Sequence, residues 1–188
     1  MVEIRREAPR IDDFFLEEIN HLLPQLNPSA KTEPMTARTL KLCFSNPNFH
    51  LFIAHDWAVK RIAGIGSIFF QRNIGREIAE IHDVVVDQSY RGQGTGEKIV
   101  RALVEDAKTF CKDMGIPKLK LYLTSRPERT GANKLYEKLG FELVAQAVGD
   151  VAQDVFNQIA EMSNANFENQ YANLEREKQV ALLFAGDS

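Results

Sequence analysis

The stretch Ala79–Gly96, AEIHDVVVDQSYRGQGTG, constrains this chain more than any other. A β-branched apolar run ends in a short polar turn, and a glycine-rich loop then opens a long amphipathic pattern. Strand, loop and helix in that order leave backbone N–H groups at a helix N-terminus, which suits an anionic ligand. The dinucleotide fingerprint G-x-G-x-x-G would need glycine where the chain has Glu97. The nucleoside-triphosphate loop G-x-x-x-x-G-K-[ST] occurs nowhere. What remains is Arg91-Gly92-Gln93-Gly94-Thr95-Gly96, of the form [QR]-x-x-G-x-G, downstream of Val84-Val85-Val86. Taken alone, that hexapeptide also fits a plain strand-to-helix turn.

Charge supports a polyanionic ligand at this place. The net charge of −3 makes no whole-chain case for nucleic acid or an anionic membrane. Residues 91–138 nevertheless hold 11 Lys/Arg against 6 Asp/Glu, while residues 149–188 hold 2 against 7. The acidic tail reads as solvated surface. Cys43 and Cys111 have no metal-ligand spacing and read as inert buried thiols, and no metal is expected. The charged N-terminus and the lack of an apolar run near ~20 residues point to a cytoplasmic protein.

Periodicity gives an alternation of strands and helices. A strand over Val2–Glu7 precedes a helix over Asp12–Leu23, stopped by Pro24. Pro24–Pro34 reads as a surface loop able to shape a substrate pocket. Thr36 is an N-cap candidate for a short helix. Phe49–His55 and Arg61–Gln71 form a hairpin in outline, with His50 and His55 as surface histidines and Gly64 and Gly66 marking a bulge or a close backbone approach. The strand Glu77–Val86 follows. A helix carries Ile99, Leu103, Ala107, Phe110 and Met114 and stops at Gly115. Lys118–Thr124 alternates as a strand, and Ser125–Glu128 has capping-box spacing for a helix ending near Gly140. After a strand at Phe141–Gln146, residues 149–188 are helix-patterned, though Gln179–Ala185 also fits a strand. The expected organisation is one domain over 1–148 and an acidic, helical extension over 149–188.

A second signature, Ala132-Asn133-Lys134-Leu135-Tyr136-Glu137-Lys138-Leu139-Gly140-Phe141, joins the glycine loop. With both in this order, the chain resembles the GNAT superfamily of acyl-CoA-dependent N-acyltransferases over about residues 2–146. The resemblance implies an α/β (α+β) fold: a mixed, mostly antiparallel sheet flanked by helices, with splayed central strands. It implies acetyl-CoA as acyl donor, with pantetheine along the backbone of Val84, Val85 and Val86 and pyrophosphate at Arg91, Gly92, Gln93, Gly94, Thr95 and Gly96. It places Asn133 along the pantetheine arm. The family usually closes with a strand beside the one after the second signature. Here that strand is Gln179–Ala185, or comes from a second chain in a homodimer, or is missing.

Acyl transfer to an amine needs a neutral amine, a stabilised carbonyl oxygen and a protonated leaving sulfur. A lysine-like amine, pKa ~10.4, must lose a proton first. Glu80, His82, Val84 and Val86 share one face by the period of two unless a bulge intervenes, and the resemblance implies a base or relay near the start of this strand, where Glu80 and His82 both fit. Histidine ordinarily titrates near working pH, whereas a carboxylate base needs burial or a water. Asp83 points to the other face unless a bulge re-aims it. Tyr136 matches the family tyrosine that protonates the thiolate, and a backbone N–H near Val84 is the expected donor to the oxygen. The expected activity is transfer of acetyl from acetyl-CoA to a small-molecule or peptide amine, by direct attack on the thioester. A non-catalytic acyl-CoA-binding sensor or interaction module is the alternative.

Overall fold

The computed structural model describes residues 2–7, 11–26, 28, 33–145 and 180–184. The chain divides into two compact units, Met1–Leu121 and Tyr122–Ser188. In the first unit, β1 (Val2–Arg6), β2 (Phe49–Asp56), β3 (Arg61–Asn73) and β4 (Arg76–Val86) pair successively as an antiparallel meander. Helices α1 (Asp13–Leu26) and α2 (Ala37–Ser45) cover one face of it. Phe15, Ile19, Leu22 and Leu40 pack there with Leu51, Ile53, Ile65 and Val85 in one core cluster. Helix α3 (Thr95–Met114) lies on the other face, where Phe110 stacks on Phe70 with ring centroids 3.8 Å apart.

Glycine lets α3 approach the sheet. A Cβ at Gly66 would sit 2.7 Å from Ile99 Cγ2, and one at Gly64 2.7 Å from the Val85 carbonyl oxygen. Real Cβ atoms do not come that close, so of the two expectations for these glycines, a bulge or a close backbone approach, the close approach is met at both, and Gly66 also lies opposite a register shift in β4. Thr36 caps α2, its Oγ1 accepting from the Thr39 N–H at 3.1 Å. Gly115, at φ +63, ends α3.

Several local expectations are corrected. Helix α1 runs through Pro24 instead of stopping at it. The ring costs only the hydrogen bond to the Asn20 carbonyl, and the helix ends two residues later anyway. His50 and His55 are buried, not on the surface. His50 Nδ1 lies 2.5 Å from Asp106 Oδ2, and His55 Nε2 lies 3.4 Å from Glu7 Oε2. Carboxylates on neighbouring elements supply the polar partners that burial demands. Among the described residues no group of three His, Cys, Asp or Glu could hold a metal, and no helix is long and apolar enough to cross a membrane.

The second unit contains most of β5 (Leu119–Ser125), α4 (Thr130–Lys138), β6 (Phe141–Ala145) and β7 (Val180–Phe184). Strand β7 pairs antiparallel with both β5 and β6, Tyr122 facing Leu183 and Phe141 facing Phe184. Of the three alternatives for a closing strand, the one at 179–185 is found. The helices expected over 149–178 lie outside the described residues. Ser125 does not cap a helix: it is the last residue of β5, paired with Val180, and α4 begins only at Thr130. The turn between them closes with the Arg129 N–H on the Arg126 carbonyl at 3.0 Å.

Candidate active site

The adjacent polar residues His82 and Asp83 break the alternation of β4, and the ladder shows the result. Ser67 pairs with His82 and Ile65 with Val85, so Asp83 and Val84 together oppose Gly66. This is a β-bulge. Asp83 sits at φ +53, the left-handed region that aspartate tolerates better than branched residues do.

The bulge inverts the parity of everything after it. Glu80 and His82 lie opposite Phe69 and Ser67, on the side of α1 and α2. Val84 and Val86 lie with Gly66 and Gly64 on the α3 side, and Val85 joins the α1 core cluster. Glu80, His82, Val84 and Val86 therefore do not share a face. Asp83 is re-aimed instead, with the Ser67 hydroxyl donating to its Oδ2 at 3.2 Å.

Three titratable side chains thus gather on one side of β4. His82 Nε2 lies 3.2 Å from Glu80 Oε2, and both side chains are nearly half exposed. Asp83 is exposed as well. The Cys43 thiol of α2, the helix that covers this face of the sheet, is pushed up in pKa by its own burial and, next, by the Asp83 carboxylate. A cationic amine is the natural visitor to such a surface, and a half-exposed acid–imidazole pair can relay its proton.

Beyond β4 the chain turns through a 3-10 turn at Gln88–Tyr90 into the glycine loop. Gly92 and Gly94 adopt φ +75 and +77, and a Cβ on either would meet nothing within 4 Å. Backbone conformation, not crowding within the fold, calls for glycine there. The N-cap of α3 is Gly94, which makes no side-chain capping bond. Arg91 Nε donates to the Val86 carbonyl at 3.0 Å, and Gln93 Nε2 to the Ser89 carbonyl at 3.0 Å, turning both side chains back onto the strand end and turn. Thr95 is buried, while Gly96 is half-buried. The loop offers its backbone, and a diphosphate fits this uncapped N-terminus of a 20-residue helix.

In the second unit, Asn133 Nδ2 donates to the Arg126 carbonyl at 3.0 Å and the Pro127 carbonyl at 3.4 Å. Its Oδ1 is buried and has no partner among the described residues. Such an orphan acceptor suits an amide N–H from a ligand. Tyr136 is 2% exposed, its ring edge-on to Phe141 with centroids 6.1 Å apart. Burial pushes its phenol pKa up and the Arg129 charge partly offsets this, so its proton is in place at neutral pH.

Periodicity missed two contributors. Ser67 looks like one more strand residue, and Asp87 like a turn residue. Asp87 is buried, and burial alone would raise its pKa. Hydrogen bonds from Ser89, Gln25 and His21 outweigh that and hold the carboxyl far below its usual range. The one signal available was the polar pair before Val84, where alternation fails.

Strand β4, the glycine loop and α3 stand in the order that the resemblance to the acyl-CoA-dependent N-acyltransferases implies. The profile of the acetyltransferase (GNAT) family matches residues 16–141, and the chain belongs to that family as an N-acetyltransferase. It is 35% identical over 144 residues to glucosamine 6-phosphate N-acetyltransferase 1 of Oryza sativa subsp. japonica, covering 72% of this chain and 82% of that one. Glucosamine 6-phosphate N-acetyltransferase of Trypanosoma brucei brucei is 37% identical over 84 residues, 43% of this chain and 51% of that one. An acetyltransferase structure from Trypanosoma brucei superposes with TM-score 0.57 at 25% identity, covering 77% of this chain and 95% of that one. Glucosamine-6-phosphate N-acetyltransferase from Arabidopsis thaliana shares the fold with TM-score 0.57 at 23% identity, covering 77% and 94%.

Proposed function

We propose that this chain transfers an acetyl group from acetyl-CoA to a primary amine by direct attack of the amine on the thioester. The observation that carries the proposal is the bulge at Asp83, which brings Glu80, His82 and Asp83 to one side of a strand that runs on into the backbone-lined glycine loop.

The donor supplies an activated acyl group, and the chain supplies position and protons. The N–H groups opening α3 and the loop at 91–96 take the diphosphate, with the β4 backbone at Val84–Val86 along the pantetheine and Asn133 Oδ1 accepting from one of its amides. Glu80 and His82 hold the acceptor ammonium and accept its proton, directly or through water. Asp83, anchored by Ser67, adds negative charge that favours the cationic amine. The bulge interrupts the regular ladder at Asp83–Val84, and a backbone N–H of this stretch faces the carbonyl oxygen as charge develops on it. A C–N bond forms, the C–S bond breaks, and the Tyr136 phenol gives its proton to the thiolate.

The relatives are named for glucosamine 6-phosphate, so amino-sugar phosphates head the acceptor panel, followed by free amino sugars, polyamines and peptide amines. Free-thiol release with acetyl-CoA identifies the acceptor. CoA binding with no turnover on any amine would favour a binding module instead. Gly94→Trp should abolish CoA binding while the fold persists, and unchanged affinity by calorimetry would refute the donor assignment.

A further inference from the structure

One turn of α1 touches two places that lie far apart in sequence. Toward the glycine loop, Gln25 Oε1 accepts from the Gln88 N–H at 2.9 Å and from an Arg91 terminal nitrogen at 3.4 Å. Gln25 Nε2 donates to Asp87 Oδ2 at 3.0 Å, where His21 Nε2 also lies 2.8 Å away. Asp87 in turn holds the 3-10 turn, its Oδ1 accepting from the Ser89 N–H at 2.9 Å and from the Ser89 hydroxyl. Every residue from Asp87 to Ser89, and Arg91 beyond, is thereby tied directly or at one remove to a single amide on α1.

On its other flank the same stretch holds the chain that leads into α2. Asn20 Oδ1 accepts from the Met35 N–H at 2.6 Å, and Asn20 Nδ2 donates to the Met35 carbonyl at 2.9 Å. This mimics a strand pair and fixes the end of the connection between α1 and α2. Asn20 and Gln25 thus fasten one helix both to the segment entering α2, on the face of the sheet that carries Glu80 and His82, and to the turn that presents the glycines. Nothing in core packing requires Gln25, a partly exposed residue at the end of α1. Its hydrogen bonds all go to α1 itself or to the loop entrance.

We infer that Gln25 is a positioning residue for the donor: through Asp87, Gln88 and Arg91 it sets the entrance of the glycine loop, and α1 thereby registers that loop against the acceptor side. The inference rests on the proposal that the loop binds acetyl-CoA. Gln25 itself touches no donor atom. An amide is required because it must accept from Gln88 and Arg91 while donating to a carboxylate. No other uncharged side chain of that length does both.

The direction of the Gln25–Asp87 bond supplies the test. Gln25→Glu sets two carboxylates against each other, and Asp87→Asn sets two amides together. Combining them restores the bond reversed, with the new amide donating to the new carboxylate. Binding of coenzyme A is read by calorimetry and folding by urea unfolding, for wild type, each single variant, the double variant and Gln25→Met. The Met variant keeps length and helix preference without the hydrogen bonds. Each single variant and Gln25→Met should bind roughly tenfold more weakly, as expected when about one net hydrogen bond's worth of loop order is lost. The double variant should recover to within about threefold of wild type. Wild-type affinity in Gln25→Met, or a double variant as weak as the two singles combined, overturns the inference and leaves the donor assignment standing. Absence of coenzyme A binding in the wild type overturns both.

Discussion

The bulge at Asp83 predicts a reversal of the ordinary ranking of alanine and glycine. In a regular strand, glycine is less stable than alanine by about 0.5–1 kcal/mol, because it loses more backbone freedom on folding. Asp83 sits at φ +53, where an L-residue with a Cβ is disfavoured by about 1–2 kcal/mol and glycine is not. The two effects oppose each other, and the steric one is larger. Asp83→Gly should therefore be more stable than Asp83→Ala by about 0.75 kcal/mol at the middle of the two ranges. Both variants lose the carboxylate that accepts from Ser67, and Ser67 keeps its contact with the His82 carbonyl in both, so those contributions cancel. The control is Glu80, three residues upstream at negative φ, where alanine should win by the usual margin. Urea unfolding of the four variants measures the difference, and in thermal unfolding 1 kcal/mol is worth about 2–4 °C for a chain of this size. If Asp83→Ala matches or exceeds Asp83→Gly, the bulge is not held in this conformation, and Asp83 does not join Glu80 and His82 on one side of β4.

Other consequences follow from the same contacts. Gly66→Ala would set a Cβ 2.7 Å from Ile99 Cγ2 and 3.0 Å from Leu103 Cδ1. Overpacking of this kind costs about 1–3 kcal/mol, and because α3 carries the loop at its start, coenzyme A binding should weaken together with the urea midpoint. Tyr136→Phe should lower kcat well below wild type with donor affinity retained, since the phenol is proposed to act only as the thiolate leaves. Its raised pKa contributes stability that is present below the ordinary tyrosine pKa of ~10 and lost as pH rises through the folded value. The Phe variant should show a flatter alkaline limb in thermal unfolding. Asp87 has the opposite sign: its depressed pKa contributes stability present above the ordinary carboxyl value of ~3.9 and lost at lower pH. Acid unfolding of Asp87→Ala should depend less on pH below that value, and an unchanged acid limb would contradict the buried network.

The amino-acid sequence by itself determined the local grammar of this protein. β-Branched runs, Thr36, Gly115 and the loop 91–96 act within a few residues of themselves, so strand, cap, stop and the glycine turn into α3 are all legible without a fold. The pair Gly64 and Gly66 also announced a bulge or a close backbone approach, because an absent side chain in a strand has few other uses. Tertiary structure decided the facing of β4. One extra residue opposite Gly66 flips a period-two pattern, and whether a strand bulges depends on the neighbour it pairs with. Tertiary structure also decided that His50 and His55 are buried, since Asp106 and Glu7 lie 56 and 48 residues away in the chain. The link from Gln25 to Gln88 and Arg91 spans 63 and 66 residues, and no periodicity can register a bond made across such a distance. The stretch from Ala79 to Gly96 carries the family's glycine loop in its composition, and the fold sets which face of β4 each of its side chains takes.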